Sequence, residues 1–142
     1  MSHPVILSPR PALIAAGIPE VHSSLYWRIG FSVCDQVVLL ELPHSTGTES
    51  VLILRDIEMD RARQSARVDR VACPADYTPE GGLSGDRETA NAQAAAECLR
   101  RAGVTRAVGD RTLPLIFAGL NLGQRLGDLL GRLSGQRNRR IA

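Results

Sequence analysis

The chain has 142 residues, 44% of them hydrophobic, and a formal net charge of +2. That size and apolar content suit one domain with a real core and exclude a disordered chain. The charge is uneven: residues 1–119 hold 12 Arg against 14 Asp and Glu, a balance of −2, whereas residues 120–142 hold 5 Arg against Asp128 alone, a balance of +4. Every basic side chain is Arg, which reads as coding bias in preference to a phosphate-recognition device. With only Tyr26, Trp27, Phe31, Tyr77 and Phe117 as aromatics, the core must be built from Val, Leu, Ile and Ala.

The first 17 residues contain Pro4, Pro9 and Pro11. Three prolines forbid a long helix, so at most Val5 to Leu7 is expected as a strand. Pro9-Arg10-Pro11 splits the two apolar runs and no basic stretch precedes them, so neither a secretory signal nor a membrane span is expected and the default location is cytoplasmic. Ile18-Pro19-Glu20 predicts a helix start, running towards Tyr26 or Arg28 and stopped by Gly30.

Val37 to Leu42 predicts a strong strand, Pro43 to Ser50 a polar loop, and Val51 to Leu54 a continuous apolar run of the kind covered on both sheet faces. Eight turn-forming residues favour a hairpin over a crossover, so the sheet is expected to be mixed. Asp56 is the natural cap of a following helix, in which Met59, Ala62 and Ala66 form a small apolar face and Glu58/Arg61 and Asp60/Arg63 pair at i, i+3. A second β-rich run, Val68 to Ala72, completes a strand-helix-strand rhythm.

Pro74 to Gly85 reads as a long irregular connection. The clearest helix is Asp86 to Ala102, capped by Ser84 or Asp86 and stopped by Gly103, with Ala92, Ala95, Ala96 and Leu99 on its small face. Val104 to Val108 predicts a strand, and Leu113-Pro114 opens a last helix through Leu120. The expected class is α/β, a mixed sheet of four or five strands flanked by helices, occupying residues 1–120. Residues 121–142 form a basic tail rich in Gly, Leu and Arg. Its Leu122, Leu126, Leu129, Leu130 and Leu133 fall on one helical face, but Gly at 119, 123, 127, 131 and 135 makes a stable isolated helix doubtful, each costing about 0.8 to 1 kcal/mol relative to Ala.

Few residue patterns suggest chemistry. Asp56, Glu58 and Asp60 resemble a carboxylate cluster, yet on a helix Glu58 points about 200° away from Asp56, so the three cannot converge. Gly81-Gly-Leu-Ser-Gly85 before a helix invites a phosphate cradle, but no Lys-Ser/Thr pair and no G-x-G-x-x-G follows. His3, His22 and His44 are scattered and are expected on the surface or in loops. Cys34, Cys73 and Cys98 lie 39 and 25 residues apart. With no C-x-x-C, they read as three buried free thiols and give no support for zinc.

The element order, together with Leu25-Tyr-Trp-Arg-Ile-Gly-Phe31 and Leu52-Ile-Leu-Arg-Asp-Ile-Glu-Met-Asp-Arg-Ala-Arg63, resembles the N-terminal domain of the creatinase and aminopeptidase P family, which includes the Xaa-Pro aminopeptidases and prolidases. Gly30-Phe31 matches that family's Gly-Phe, Trp27 falls in its aromatic slot, and Glu58-Met-Asp-Arg-Ala62 matches its helix. The resemblance runs from about Ile18 to Leu120, some seven-tenths of the chain. It departs at the front, where the family's opening helix and first strand are shortened, and again in the Gly/Leu/Arg tail.

The resemblance implies a ribonuclease H-like α/β fold. It also implies a second, pita-bread domain that holds two Mn, Zn or Co ions through two Asp, one His and two Glu, and nothing in this chain corresponds to that domain. The expectation is therefore a non-catalytic domain, or a truncated form, of a Xaa-Pro peptidase, with no catalytic residue, metal or cofactor of its own. It would serve subunit association and substrate access, either as a homodimer or with a catalytic-domain partner. By position Trp27, Arg28 and Phe31 would be adjacent to substrate. The alternative is that Trp27 and Phe31 are core aromatics. A different function class is a stand-alone module whose basic tail docks on nucleic acid or acidic lipid, but that tail has no aromatic residue for stacking, so nucleic acid is not the expected partner.

Overall fold

Alternation along the central strands sorts the side chains into two cores. The computed structural model describes residues 10–117. Its sheet has five strands in the order β4-β3-β2-β1-β5. They are β1 (Ala12–Gly17), β2 (Val37–His44), β3 (Gly47–Ile53), β4 (Arg70–Ala72) and β5 (Ala107–Val108). β1, β2 and β3 run antiparallel in sequence, while β4 is parallel to β3 and β5 parallel to β1. The sheet is thus mixed, as expected from the short β2–β3 connection.

Successive residues point to opposite faces. Ala12, Ile14, Ala16, Val38, Leu40, Leu42, Val51 and Ile53 meet helix α3 (Arg87–Arg101) through Ala92, Ala94, Ala95, Cys98 and Leu99. Val37, Leu39, Leu52 and Leu54 meet helices α1 (Ser23–Ile29) and α2 (Met59–Ser65) through Leu25, Ile29 and Ala62, together with Phe31 and Val33. The result is three layers, with helices on both faces of the sheet. All four residues of Val51 to Leu54 are buried, which accounts for their unbroken apolar run.

Several boundaries differ from the sequence reading, each for a local reason. Val5 to Leu7 lie outside the described residues, and the first described strand forms instead at Ala12, directly after Pro11. Proline blocks a helix interior but leaves the residues after it free to pair. The expected loop at Pro43 to Ser50 contracts to a two-residue turn, Ser45-Thr46, because both strands extend and Pro43 pairs with Thr48. β1 reaches only Glu41, so the missing Pro43 N–H has no second strand to satisfy. Arg10 ties the turn down by donating to the carbonyls of His44 at 2.6 Å and Gly47 at 3.1 Å.

Helix α1 starts at Ser23, not at Pro19, since Ile18 to Val21 closes a turn in which the Val21 and His22 N–H groups both donate to the Ile18 carbonyl. Gly30 ends it as expected, in the left-handed region at φ 62°. The Arg67 guanidinium donates to the Trp27 carbonyl at 2.7 Å and the Arg67 N–H to the Ile29 carbonyl at 2.7 Å, so a cation covers the negative end of the helix.

A 3-10 turn, Asp56–Glu58, precedes α2, and Asp56 accepts from its neighbour Ile57 instead of capping the helix proper. The two i, i+3 pairs form, Arg61–Glu58 at 2.7 Å and Arg63–Asp60 at 3.2 Å. Asp86 caps α3 by accepting from Thr89 N at 2.9 Å. The connection before it turns at Gly81 and Gly82, both at positive φ, and is closed by Ser84 N donating to Gln93 at 2.7 Å. The last described element is a 3-10 turn, Leu115–Phe117, whose Phe117 is buried against α3. The remainder of the expected final helix and the 121–142 tail lie outside the described residues.

Candidate functional site

Among the described residues, the helix layer on the α1 side is incomplete. α1 and α2 share a core with Val37, Leu39, Leu52 and Leu54, and beside α1, over β1 and β5, a groove of about 570 Å³ opens. Its floor is apolar, made by Leu13, Ala15 and Leu39 of the sheet and Val108 of β5, and its helical wall by Ser24, Leu25, Trp27 and Arg28. Leu13 and Val108 are each 48% exposed and Trp27 is 74% exposed, in contrast to the sealed α3 face.

The geometry of α1 explains why. Leu25 and Ile29, at i and i+4, are the buried pair of this short helix. Trp27 lies two residues from Leu25, about 200° around the axis, so its ring is turned outward. Tyr26 meets it edge to face at a centroid distance of 6.5 Å. Arg28 crosses the groove to form an ion pair with Glu41 of β2. Glu41 occupies the position where alternation would place a further apolar residue after Val37 and Leu39, so the floor ends in a charged pair.

The upper end of the groove is held by a relay that the sequence reading missed. His22 caps α1, its Nδ1 accepting from Leu25 N at 3.2 Å, and the Ser24 hydroxyl points at the same atom at 3.2 Å. Because Nδ1 accepts from a backbone N–H, the neutral ring carries its proton on Nε2. Nε2 then donates to Thr112 Oγ1 at 2.6 Å, and the Thr112 hydroxyl donates to Asp110 Oδ1 at 2.5 Å. Hydrogen bonds from the Thr112 hydroxyl and N–H hold the Asp110 carboxyl below the usual carboxylate range. The imidazole lies against Gly17, where an added Cβ would come within 2.9 Å of the ring.

A serine, a histidine and an aspartate in one chain of contacts suggest nucleophilic catalysis, but the geometry serves a different purpose. The lone pair that would take the Ser24 proton already receives the Leu25 N–H. The relay instead fastens the start of α1 to the loop after β5 across 90 residues of sequence.

Of the three residues singled out from sequence, the structure brings two to the groove. Trp27 and Arg28 line it. Trp27 is therefore not a core aromatic. Phe31 is 4% exposed and belongs to the core under α1 and α2, with the Arg61 guanidinium stacked over its ring at 4.8 Å. Gly30 turns the chain back beneath the helix, which separates Phe31 from Trp27 despite four positions of proximity. His22 could have been suspected from its place directly before Ser23-Ser24 at a helix start, whereas its Thr112 partner carries no local signal.

Away from the groove, the strongly shifted titratable groups have structural partners. Glu97, 7% exposed, receives Arg100 at 2.6 Å and Arg101 at 2.7 Å. The hydrogen bond from Arg100 outweighs the opposing effect of burial, and the Glu97 carboxyl is held down at about 2. Burial pushes the Tyr77 phenol up to about 12 and the Cys98 thiol upward as well, so both stay neutral at neutral pH. Only Cys98 of the three cysteines is buried, since Cys73 is half-buried and Cys34 exposed; all three are free. This corrects the expectation of three buried thiols. Asp56, Glu58 and Asp60 each face a different partner, and among the described residues no group of three His, Cys, Asp or Glu could hold a metal ion. No helix among the described residues is long and apolar enough to cross a membrane.

No protein-family model, curated protein or solved structure matches the chain.

Proposed function

We propose that this chain is a non-catalytic α/β domain of the Xaa-Pro peptidase type, which serves subunit association and substrate access when joined to a catalytic half. The observation that carries this reading is the position of Trp27, an exposed aromatic beside Arg28 on the rim of an apolar groove. Those are two of the three residues that the resemblance to the creatinase-type N-terminal domain marks as substrate-adjacent. The mixed sheet with helices on both faces is compatible with the ribonuclease H-like fold that the same resemblance implies. The groove offers an apolar floor, an indole for stacking against a proline ring or an aliphatic side chain, and a guanidinium able to meet a carboxylate if it leaves Glu41. A dinuclear Mn, Zn or Co centre would belong to the catalytic half, a cytoplasmic partner or a second subunit.

The test is complementation. The purified chain with manganese or zinc should leave an Xaa-Pro dipeptide intact. Mixed with a separately produced pita-bread domain of a Xaa-Pro peptidase, it should raise turnover, and Trp27→Ala or Arg28→Ala should remove most of that increment. Unaided hydrolysis by the purified chain, or a catalytic half indifferent to its presence, would sink the reading.

A further inference from the structure

We infer that His22 is a proton-operated latch on the groove wall: neutral, it joins the start of α1 to the loop after β5; protonated, it stays with the loop and releases the helix. The two ring nitrogens have unequal partners. Nδ1 accepts from Leu25 N at 3.2 Å, and Nε2 lies 2.6 Å from Thr112 Oγ1, whose hydroxyl continues to Asp110 Oδ1 at 2.5 Å. A neutral imidazole has one acceptor nitrogen, and here the helix cap uses it. A proton added at Nδ1 sets a donor against the Leu25 N–H and ends the cap. The new N–H has another acceptor within reach, the Ser24 hydroxyl at 3.2 Å. The Nε2 contact survives, because that nitrogen donates in both forms and the carboxylate at the end of the relay attracts the positive ring.

The helix is poorly equipped to lose this cap. α1 has 7 residues, buries only Leu25 and Ile29, and carries no acidic residue in its first turn. A helix of that length is marginal without outside contacts, and a positive ring beside its start meets the positive end of its dipole. The far end is fixed, since Arg67 donates to the carbonyls of Trp27 and Ile29. Release therefore falls on the first turn, and the part of the groove wall made by Ser24 and Leu25 loosens while the Trp27 end stays pinned. The charged groups around the ring come from several elements. From the loop after β5 it faces Asp110, through Thr112, with Arg111 beside them in sequence. The turn before α1 supplies Glu20, and Arg28 of α1 is paired with Glu41 of β2 across the groove. β1 brings only Gly17 against the ring. Imidazole is the side chain whose charge ordinarily changes between about pH 5 and 8, so neutral pH holds this wall and mild acidity frees it.

The test is NMR of the full chain between pH 8 and 5. At the alkaline end the His22 ring should carry its proton on Nε2. As His22 titrates, the protection of the Leu25 amide against hydrogen exchange should fall about threefold or more, with the midpoint of the His22 titration itself. The Gly30 amide, bonded to the Tyr26 carbonyl at the far end, and the Thr112 amide, bonded to Asp110, should keep theirs. His22→Asn retains a capping acceptor and does not titrate, so its Leu25 protection should be equal at both ends of the range. Leu25 protection that ignores the His22 titration in the unaltered chain would overturn the inference, as would a ring protonated on Nδ1 at pH 8. So would protection lost at Thr112 and kept at Leu25, or an equal fall in His22→Asn, which assigns the change to another titrating group. The measurement on the unaltered chain decides by itself should the variant fail to fold, and neither a peptide nor a catalytic half is involved.

Discussion

The two faces of the sheet are built from the same strands and differ in how they are closed. On the α3 face a helix of 15 residues lays alanines and Leu99 on the strands, and those side chains are sealed. On the α1 face two helices of 7 residues each share the work and, among the described residues, leave a groove over β1 and β5. A long helix with small side chains covers a sheet; two short ones anchored by Leu25, Ile29 and Ala62 cover only the strands beneath them. The open end also differs in what holds it. The closed face rests on apolar contact, while the groove is framed by polar links, Arg28 to Glu41 and His22 through Thr112 to Asp110.

Mutations on the two faces should separate accordingly. Leu99→Ala removes a fully buried side chain from the sealed face and should lower stability by about 2 to 5 kcal/mol in urea unfolding. The same truncation at Leu13, half exposed in the groove, should cost under about 1 kcal/mol; equal losses would mean that the groove floor is as well packed as the α3 face. Gly30→Ala tests the turn that ends α1. Its positive φ, with the Arg67 guanidinium 2.7 Å from an added Cβ, should cost about 1 to 2 kcal/mol and loosen the groove wall.

Glu97 gives the sealed side a pH dependence. Its carboxyl is held at about 2 in the folded state against an ordinary 4.5, so the folded state favours the ionised form. The stabilisation is full above the unfolded value and is lost as pH falls from about 4.5 through about 2. Glu97→Gln should flatten that acid limb and cost about 1 kcal/mol at neutral pH, a modest figure because both arginines are solvent-exposed and screened. Trp27→Ala should have the smallest effect, within about 0.5 kcal/mol, since the side chain is 74% exposed in the described structure. A loss of 2 kcal/mol there would mean that something covers the ring.

What the sequence disclosed follows the range of the interactions involved. Val51 to Leu54, the charge pairs of α2, and α3 between Asp86 and Gly103 are set by periodicity and capping within a few residues, and each was readable. The Ala12 strand was obscured by Pro11, because proline informs about helices more than about the strand that starts after it. The outward turn of Trp27 was present in the Leu25/Ile29 spacing, although the scarcity of aromatics argued for burial. The His22–Thr112–Asp110 relay was not readable at all, since its members are brought together only by β5 pairing parallel to β1. The groove likewise exists because helices elsewhere are short, which no single stretch of chain announces.

Both rims of the described sheet are stubs. β4 contributes three residues and β5 two, and Arg70 stands at the start of the former. A neighbouring chain seeking to add a strand finds too few free amides in line to hold register, and at one rim a guanidinium engaged with Glu49. Among the described residues, therefore, this fold discourages ladder-like polymerisation, and any self-recognition it supports has to come through side chains on a face.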